Sequence, residues 1–263
     1  TEVTEEDLEN AVEDEFGVKY SKDWKRLLKA PWRIKGEYHI RKGVKVIGDC
    51  AFSACSSLSK IKIPNSVTNI GYWAFWGCKL TSINIPSSVV NMNGNPFCGW
   101  NGDLHNESKA FVYEHQVLFN KDKTTLIAYR SKDTNYIIPD SVTNIGNDAF
   151  YNCEPLTSIN IPDGVTNIGD EAFWWCGSLT SINIPDGVTN IGSYAFDGCT
   201  NLESLTMGNK VTTIGSYAFR NAGALKSLTI PSSVTSIGYD AFKNCEDLVI
   251  YCDKGSYAYN FAK

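Results

Sequence analysis

Apolar positions recur along this chain with one fixed period. Val142, Val165, Val188, Val211 and Val234 lie 23 residues apart, and each opens the same alternation of apolar and polar residues. Ile follows three positions on (Ile145, Ile168, Ile191, Ile214, Ile237). Gly, two variable residues and Ala-Phe come next, then in most copies Cys, Leu and Ile-x-Ile-Pro. Earlier copies begin at Val44 and Val67, and a shortened one at Val89. Within Leu156 to Pro162 the alternation predicts a strand over Ser158 to Ile161. Ile159 and Ile161 then point inward, and Ser158, Asn160 and Pro162 outward. Gly169 suits a tight corner. Ala172-Phe173 predicts a short helical turn with Phe173 as its central plug, closed by Cys176 and Leu179. Phe52, Phe75, Phe150, Phe173, Phe196, Phe219 and Phe242 form one expected core column.

A coil of this length cannot bury its apolar face alone, so successive coils must stack. A period of about 20–29 residues with Leu and Ile at fixed offsets is a leucine-rich-repeat signature. The expected fold is therefore an α/β solenoid. It is a right-handed leucine-rich-repeat coil with a parallel β-sheet on one face, short helical turns on the other and two inserted β-hairpins. The hairpins come from a second internal repeat. Val18, Tyr20, Asp23 and Leu27 align with Val117, Phe119, Asp122 and Leu126, and each set flanks a polar turn.

One continuous solenoid domain is expected, in six parts. Residues 1–15 are an acidic N-terminal arm or short helix, and 16–37 a capping hairpin. Residues 38–92 are a first repeat array, and 93–135 an irregular coil plus the second hairpin. Residues 136–251 are a second array and 252–263 a C-terminal cap. The turn-rich 93–114 stretch lacks the Ala-Phe pair and reads as a bulged coil; its Phe97, Trp100, Phe111 and Tyr113 are too apolar for a tether.

The pattern Ile-Pro-x-x-Val-Thr-x-Ile-Gly-x-x-Ala-Phe-x-x-Cys-x-x-Leu-x-x-Ile resembles the BspA-like, or Treponema-type, leucine-rich repeats over about residues 38–92 and 136–251. The resemblance implies a secreted or surface-exposed bacterial protein, its signal peptide removed, that binds other macromolecules. Adhesion to host matrix proteins or other cells is the implied activity. The family has no shared catalytic residues to carry over, and its binding residues lie at variable positions. Ala222 replaces the repeat Cys and Gly208 the repeat Pro.

Charge narrows the partners. A formal net charge of −5 argues against nucleic acid, which needs clustered Lys and Arg. The apolar stretches run only a few residues each, too short to span a bilayer. A monomer is expected. Of nine cysteines, six share one repeat position (Cys55, Cys78, Cys153, Cys176, Cys199, Cys245). Side chains in a stacked column run parallel, so free buried thiols are favoured over bridges, and no C-x-x-C pair suggests zinc. Only His39, His105 and His115 are present, and no Ser or Asp breaks the repeat at a pocket, so no enzyme, cofactor or metal site is expected.

Two outward faces remain as binding candidates. The strand face presents Ser158, Asn160, Ser181 and Asn183, polar, small and uncharged, for a broad flat partner. The opposite face presents an aromatic stripe of Trp76, Trp100, Tyr151, Trp174 and Trp175, with charge (Asp197, Arg220, Lys243) in the later coils. Such residues make protein hot spots or stack on sugar rings. The expected partner is a host or bacterial surface protein, with glycan capture by the stripe as the alternative and a structural spacer as a third. The bland reading packs these rings across neighbouring coils.

Overall fold

A computed structural model describes residues 1–261, in two compact units, Thr1–Glu114 and His115–Lys263, each a stack of repeat coils. The boundary falls within the segment 93–135, between the irregular coil and the second hairpin.

In the second unit, the 23-residue period becomes inter-coil register. Ser158 lies opposite Ser181, and Ser181 opposite Ser204, in a parallel sheet whose outward residues are polar. A second parallel sheet is built from the Asn-Ile pairs, Asn144 opposite Asn167 and Asn167 opposite Asn190. Each coil thus contributes to two sheets where the sequence suggested one. The inward Ile of the pair needs only two residues of strand to point it at the core. The hairpin Val117–Asn120 with Thr125–Tyr129 is antiparallel, and Thr125–Tyr129 then pairs in parallel with Asn144–Ile145, opening the stack. The first unit repeats this plan, with Arg26–Lys29 of its hairpin pairing in parallel with Val46–Ile47.

The expected short helical turns are absent from the described coils, and the reason lies in the backbone. After Gly169, Ala172, Trp174 and Cys176 donate to carbonyls three residues back, at 3.4, 3.0 and 3.2 Å. The alternate amides of Glu171, Phe173 and Trp175 cross instead to the next coil, onto Ser193, Ala195 and Asp197, at 2.8–2.9 Å. Left-handed φ values at Glu171 (57°) and Trp175 (61°) turn these donors outward and prevent a helix. Half the donors thus close local turns and half bind adjacent coils, leaving no row of orphan amides. The described helices are Glu5–Glu9 and Tyr257–Phe261.

The core runs along the Phe column. Phe150, Phe173, Phe196, Phe219 and Phe242 stack with centroids 4.8–5.5 Å apart and planes within 8°. In the first unit Phe52, Phe75 and Phe97 do the same, at 5.7 and 5.9 Å. Phe97 thus belongs to the column although no Ala precedes it. Pro96 takes the Ala place and its carbonyl accepts the Phe75 amide at 2.9 Å, while the Asn95 side chain accepts the Phe97 amide at 3.0 Å. Each buried ring contributes roughly 2–3 kcal/mol of transfer energy, and each stacked pair about 0.5–1.5 kcal/mol more.

The Cys column has a polar reason as well as an apolar one. The thiols of Cys78, Cys176, Cys199 and Cys245 donate to the carbonyls of Phe52, Phe150, Phe173 and Phe219 of the preceding coil, at 3.0–3.3 Å. All nine cysteines are free. The coil glycines mark the closest approach of neighbouring backbones. A β-carbon on Gly192 would sit 2.5 Å from the Asp170 nitrogen and the Gly169 carbonyl carbon.

At the N-terminus the acidic segment forms the helix Glu5–Glu9, closed by a Thr4–Asp7 capping box. Arg26 holds it to the hairpin through both Asp7 oxygens, at 2.8 and 3.2 Å. In the 252–263 cap, Tyr257–Phe261 is helical with Ala258 buried, and residues 262 and 263 lie outside the described part.

Candidate functional site

His39 is exposed and bound to Glu37 at 2.8 Å. Burial pushes the Cys55 and Cys78 thiols up to about 11 and about 12, so they stay protonated and unreactive at neutral pH. Among the described residues no three His, Cys, Asp or Glu side chains gather where they would hold a metal ion.

The strand-face candidates lie side by side. Asn160, Ser181 and Asn183 are exposed and Ser158 is half-buried. Two of them bond along the column: Ser158 donates to the Asn135 side chain, and Asn183 accepts from Thr206 at its side-chain Oδ1. The four residues are small and polar, but the same face exposes Ile137, opposite Asn160, and, further along, Tyr251, opposite Thr229.

The stripe candidates separate. Trp100 leaves the surface: it is 2% exposed, and its indole donates to the Leu80 carbonyl at 2.8 Å. It packs against Phe97 at 5.9 Å, in the core that the irregular coil completes. Trp76, in the first unit, is half-buried and stacks on Trp73 at 5.5 Å, which stacks on Tyr72 at 5.1 Å. In the second unit Tyr151 and Trp174 are half-buried and meet edge to face at 5.3 Å, while Trp175 is 55% exposed. Tyr151 and Trp174 thus pack across neighbouring coils, Trp76 stacks within its own coil, and Trp175 lies against Gly198 of the next coil while more than half of it stays exposed.

The charged residue expected beside the stripe is the hidden element of the second unit. Asp197 is fully buried, and four donors converge on its carboxylate. The Trp174 indole reaches Oδ2 at 3.1 Å, and Arg220 approaches both oxygens at 3.0 and 2.6 Å. The Asn221 amide reaches Oδ1 at 2.9 Å. Those bonds raise Arg220 above its ordinary value, fixing the guanidinium charge. The same guanidinium lies over the rings of Tyr194 and Tyr217, at 5.2 and 4.9 Å, and the two rings stack at 4.8 Å. Tyr239 extends the row, edge on to Tyr217 at 5.7 Å. Asp197 thus pins Trp174 on one side and Arg220 on the other. Arg220, Tyr194 and Tyr217 are preorganised together, and Trp174, 6.4 Å from Tyr194, links them to the outward Trp175 at 6.0 Å; such an aromatic–cation row can bind by stacking and bidentate hydrogen bonding. Among the described residues, no helix is long and apolar enough to cross a membrane.

Comparison with known proteins agrees with this architecture. A family model described as a BspA type leucine rich repeat region matches six copies, over residues 36–104 and 128–249. The chain is similar to a leucine rich cell surface protein from Faecalibacterium prausnitzii A2-165, with 33% identity and a TM-score of 0.76. That match covers 87% of this chain and 62% of the relative, so the chain spans less than two thirds of the relative's length. The pneumococcal vaccine antigen PcpA shares the fold at 22% identity and a TM-score of 0.60, covering 84% of this chain and 68% of that one. So does a leucine-rich repeat protein from Eubacterium ventriosum, at 24% and 0.51, covering 79% and 76%. No curated protein matches the chain.

Proposed function

As the chain belongs to the BspA-type leucine-rich-repeat family, we propose that it is a non-catalytic recognition protein of the bacterial surface. It adheres to proteins of the host matrix or of other cells through outward side chains of its coils. The surface location follows the Faecalibacterium relative, itself a cell surface protein. The observation that carries the reading is the fixed row of Trp175, Tyr194, Tyr217 and Arg220. Trp, Tyr and Arg are the residue types that dominate interface energies, and here a buried carboxylate holds Arg220 over the Tyr194 and Tyr217 rings, and Trp174 beside Trp175, before any partner arrives. Prior ordering removes much of the entropy cost of binding.

Biolayer interferometry on immobilised fibronectin and collagen tests the reading. The wild-type chain should bind at least one of them saturably. Tyr194→Asn with Tyr217→Asn should weaken binding by roughly tenfold or more, as hot-spot losses do, because Asn tolerates the left-handed backbone that both tyrosines occupy. Ser181→Ala with Asn183→Ala should leave it unchanged. Absence of saturable binding to either protein, or a loss confined to the strand-face variant, would contradict the reading.

A further inference from the structure

The residue just before the repeat Cys adopts a left-handed backbone in coil after coil, and its identity follows that constraint. It is Ala54, Gly77, Asn152, Gly198, Asn221 and Asn244 at φ between 52° and 77°. The exception is Trp175, a bulky aromatic at φ 61°. Glycine and asparagine occupy this region at least cost, and Trp175 is the one large ring in this column, as Trp73, Tyr194 and Tyr217 are in the left-handed column just before Ala-Phe. Nothing in the fold requires it, since the other copies close the same turn without it. Strain of this sort, held in place by the surroundings, is a reason to look for function.

The surroundings hold this ring firmly. A β-carbon built on Gly198 would meet the indole at Cδ1 (2.6 Å), Nε1 (3.1 Å) and Cγ (3.3 Å), so the ring rests against the bare α-carbon of the next coil. Trp174 buttresses it edge to face at 6.0 Å, and Trp174 is itself tied to buried Asp197. Despite this support Trp175 is 55% exposed. The result is an aromatic ring supported by glycine and by Trp174, with more than half of the residue in water. A ring seated this way cannot insert as a wedge into a partner's pocket. It can only receive something flat laid upon it.

We infer that Trp175 is the stacking platform for a neutral hexopyranose ring of a β-linked glycan, with Asn152 of the preceding coil among the polar groups at its rim. A β-linked pyranose in its chair form offers a face of C–H groups to the indole while its hydroxyls point outward to amides. An anionic sugar fits less well, because Asp170 and Glu154 of the same region are exposed and the chain carries a net charge of −5. The inference uses the same turn edge as the adhesion reading and specifies a sugar where that reading specifies a protein.

The test follows the seven indole N–H signals of the whole chain by ¹⁵N–¹H correlation during titration. The probes are chitotetraose, cellotetraose and β-1,4-galactotetraose, each to about 10 mM, a ceiling suited to the weak affinities of small sugars, with a heparin tetrasaccharide as the anionic comparison. At least one neutral probe should shift the Trp175 signal saturably. Trp175→Asn places there the residue found in three other coils, and should remove the response while leaving the melting temperature unchanged or raised. Gly198→Ala keeps the indole but displaces it, and should weaken binding by roughly tenfold or more. No shift with any neutral probe, a response only to heparin, or a response that survives Trp175→Asn would overturn the inference. So would a marked loss of stability in Trp175→Asn, since the ring would then be a structural brace. If the sugars fail while fibronectin or collagen still binds, the inference falls alone and the adhesion reading stands.

Discussion

Truncating one ring of the Phe column should cost far more in the middle of a stack than at its end. Phe173 is fully buried between Phe150 and Phe196, at 4.8 and 5.1 Å. Phe173→Ala removes the ring's transfer energy, both stacking contacts and the support of two coils, and leaves a cavity that rigid neighbours cannot fill. Core Phe→Ala changes cost about 3–5 kcal/mol, and this site should reach the upper half of that range. Among the described residues Phe242 stacks only on Phe219, at 5.5 Å, and it is half-buried. With one contact and partial burial, Phe242→Ala should cost about 1–2 kcal/mol. Urea unfolding followed by far-ultraviolet circular dichroism measures both, and the midpoints should separate by the equivalent of roughly 2–4 kcal/mol. Equal costs would refute a core built from nearest-neighbour stacking.

Close coil contact gives a second expectation. Gly192→Ala forces a methyl onto backbone atoms 2.5 Å away and should lower stability by about 2 kcal/mol or more. At Gly164 the nearest atom would be 3.6 Å away, so Gly164→Ala should be neutral within about 0.5 kcal/mol or slightly stabilising in the same urea assay. The docking of the N-terminal helix should depend on pH. The Thr4 amide and then Arg26 hold the Asp7 carboxyl below its ordinary value, so its contribution is complete above the unfolded carboxylate pKa, about 3.9, and fades as pH falls through the lower folded value. Amide signals of Glu5–Glu9 should lose their docked shifts in that acid window, and Asp7→Asn should show undocked shifts at neutral pH too. Denatured, unreduced protein should take up nine iodoacetamide adducts, while native protein should react slowly and only at the half-buried Cys50, Cys245 and Cys252. Fewer than nine adducts after denaturation would reveal a bridge.

The sequence period alone was enough to place Asn144, Asn167 and Asn190 opposite one another, because any residue and its copy 23 positions on become neighbours when coils stack. The same logic revealed the Phe and Cys columns. It missed the turn geometry, since residue type at the left-handed positions gives no warning: Glu171, Tyr194 and Tyr217 sit there as well as glycine. Phe97 was hidden by Pro96 in the Ala place. Trp100 read as surface because no periodic copy marks its position as inward. At the turn edge, the adjacent tryptophans 174 and 175 looked equivalent. Their fates differ because one indole turns toward Asp197 and the other lies over Gly198. The burial of Asp197 did have a signal. Trp174 stands 23 residues before it and Arg220 23 residues after, so the repeat places a donor on either side of one acceptor.

Hydrogen exchange of the fibronectin-bound chain, compared with the free chain, examines most directly whether outward turn residues carry recognition while the periodic positions build the scaffold. Slowed exchange should concentrate in residues 169–176, 192–199 and 215–222, around Trp175, Tyr194 and Arg220. Protection confined to the strands Ser158–Asn160 and Ser181–Ile184, or protection nowhere, would contradict it.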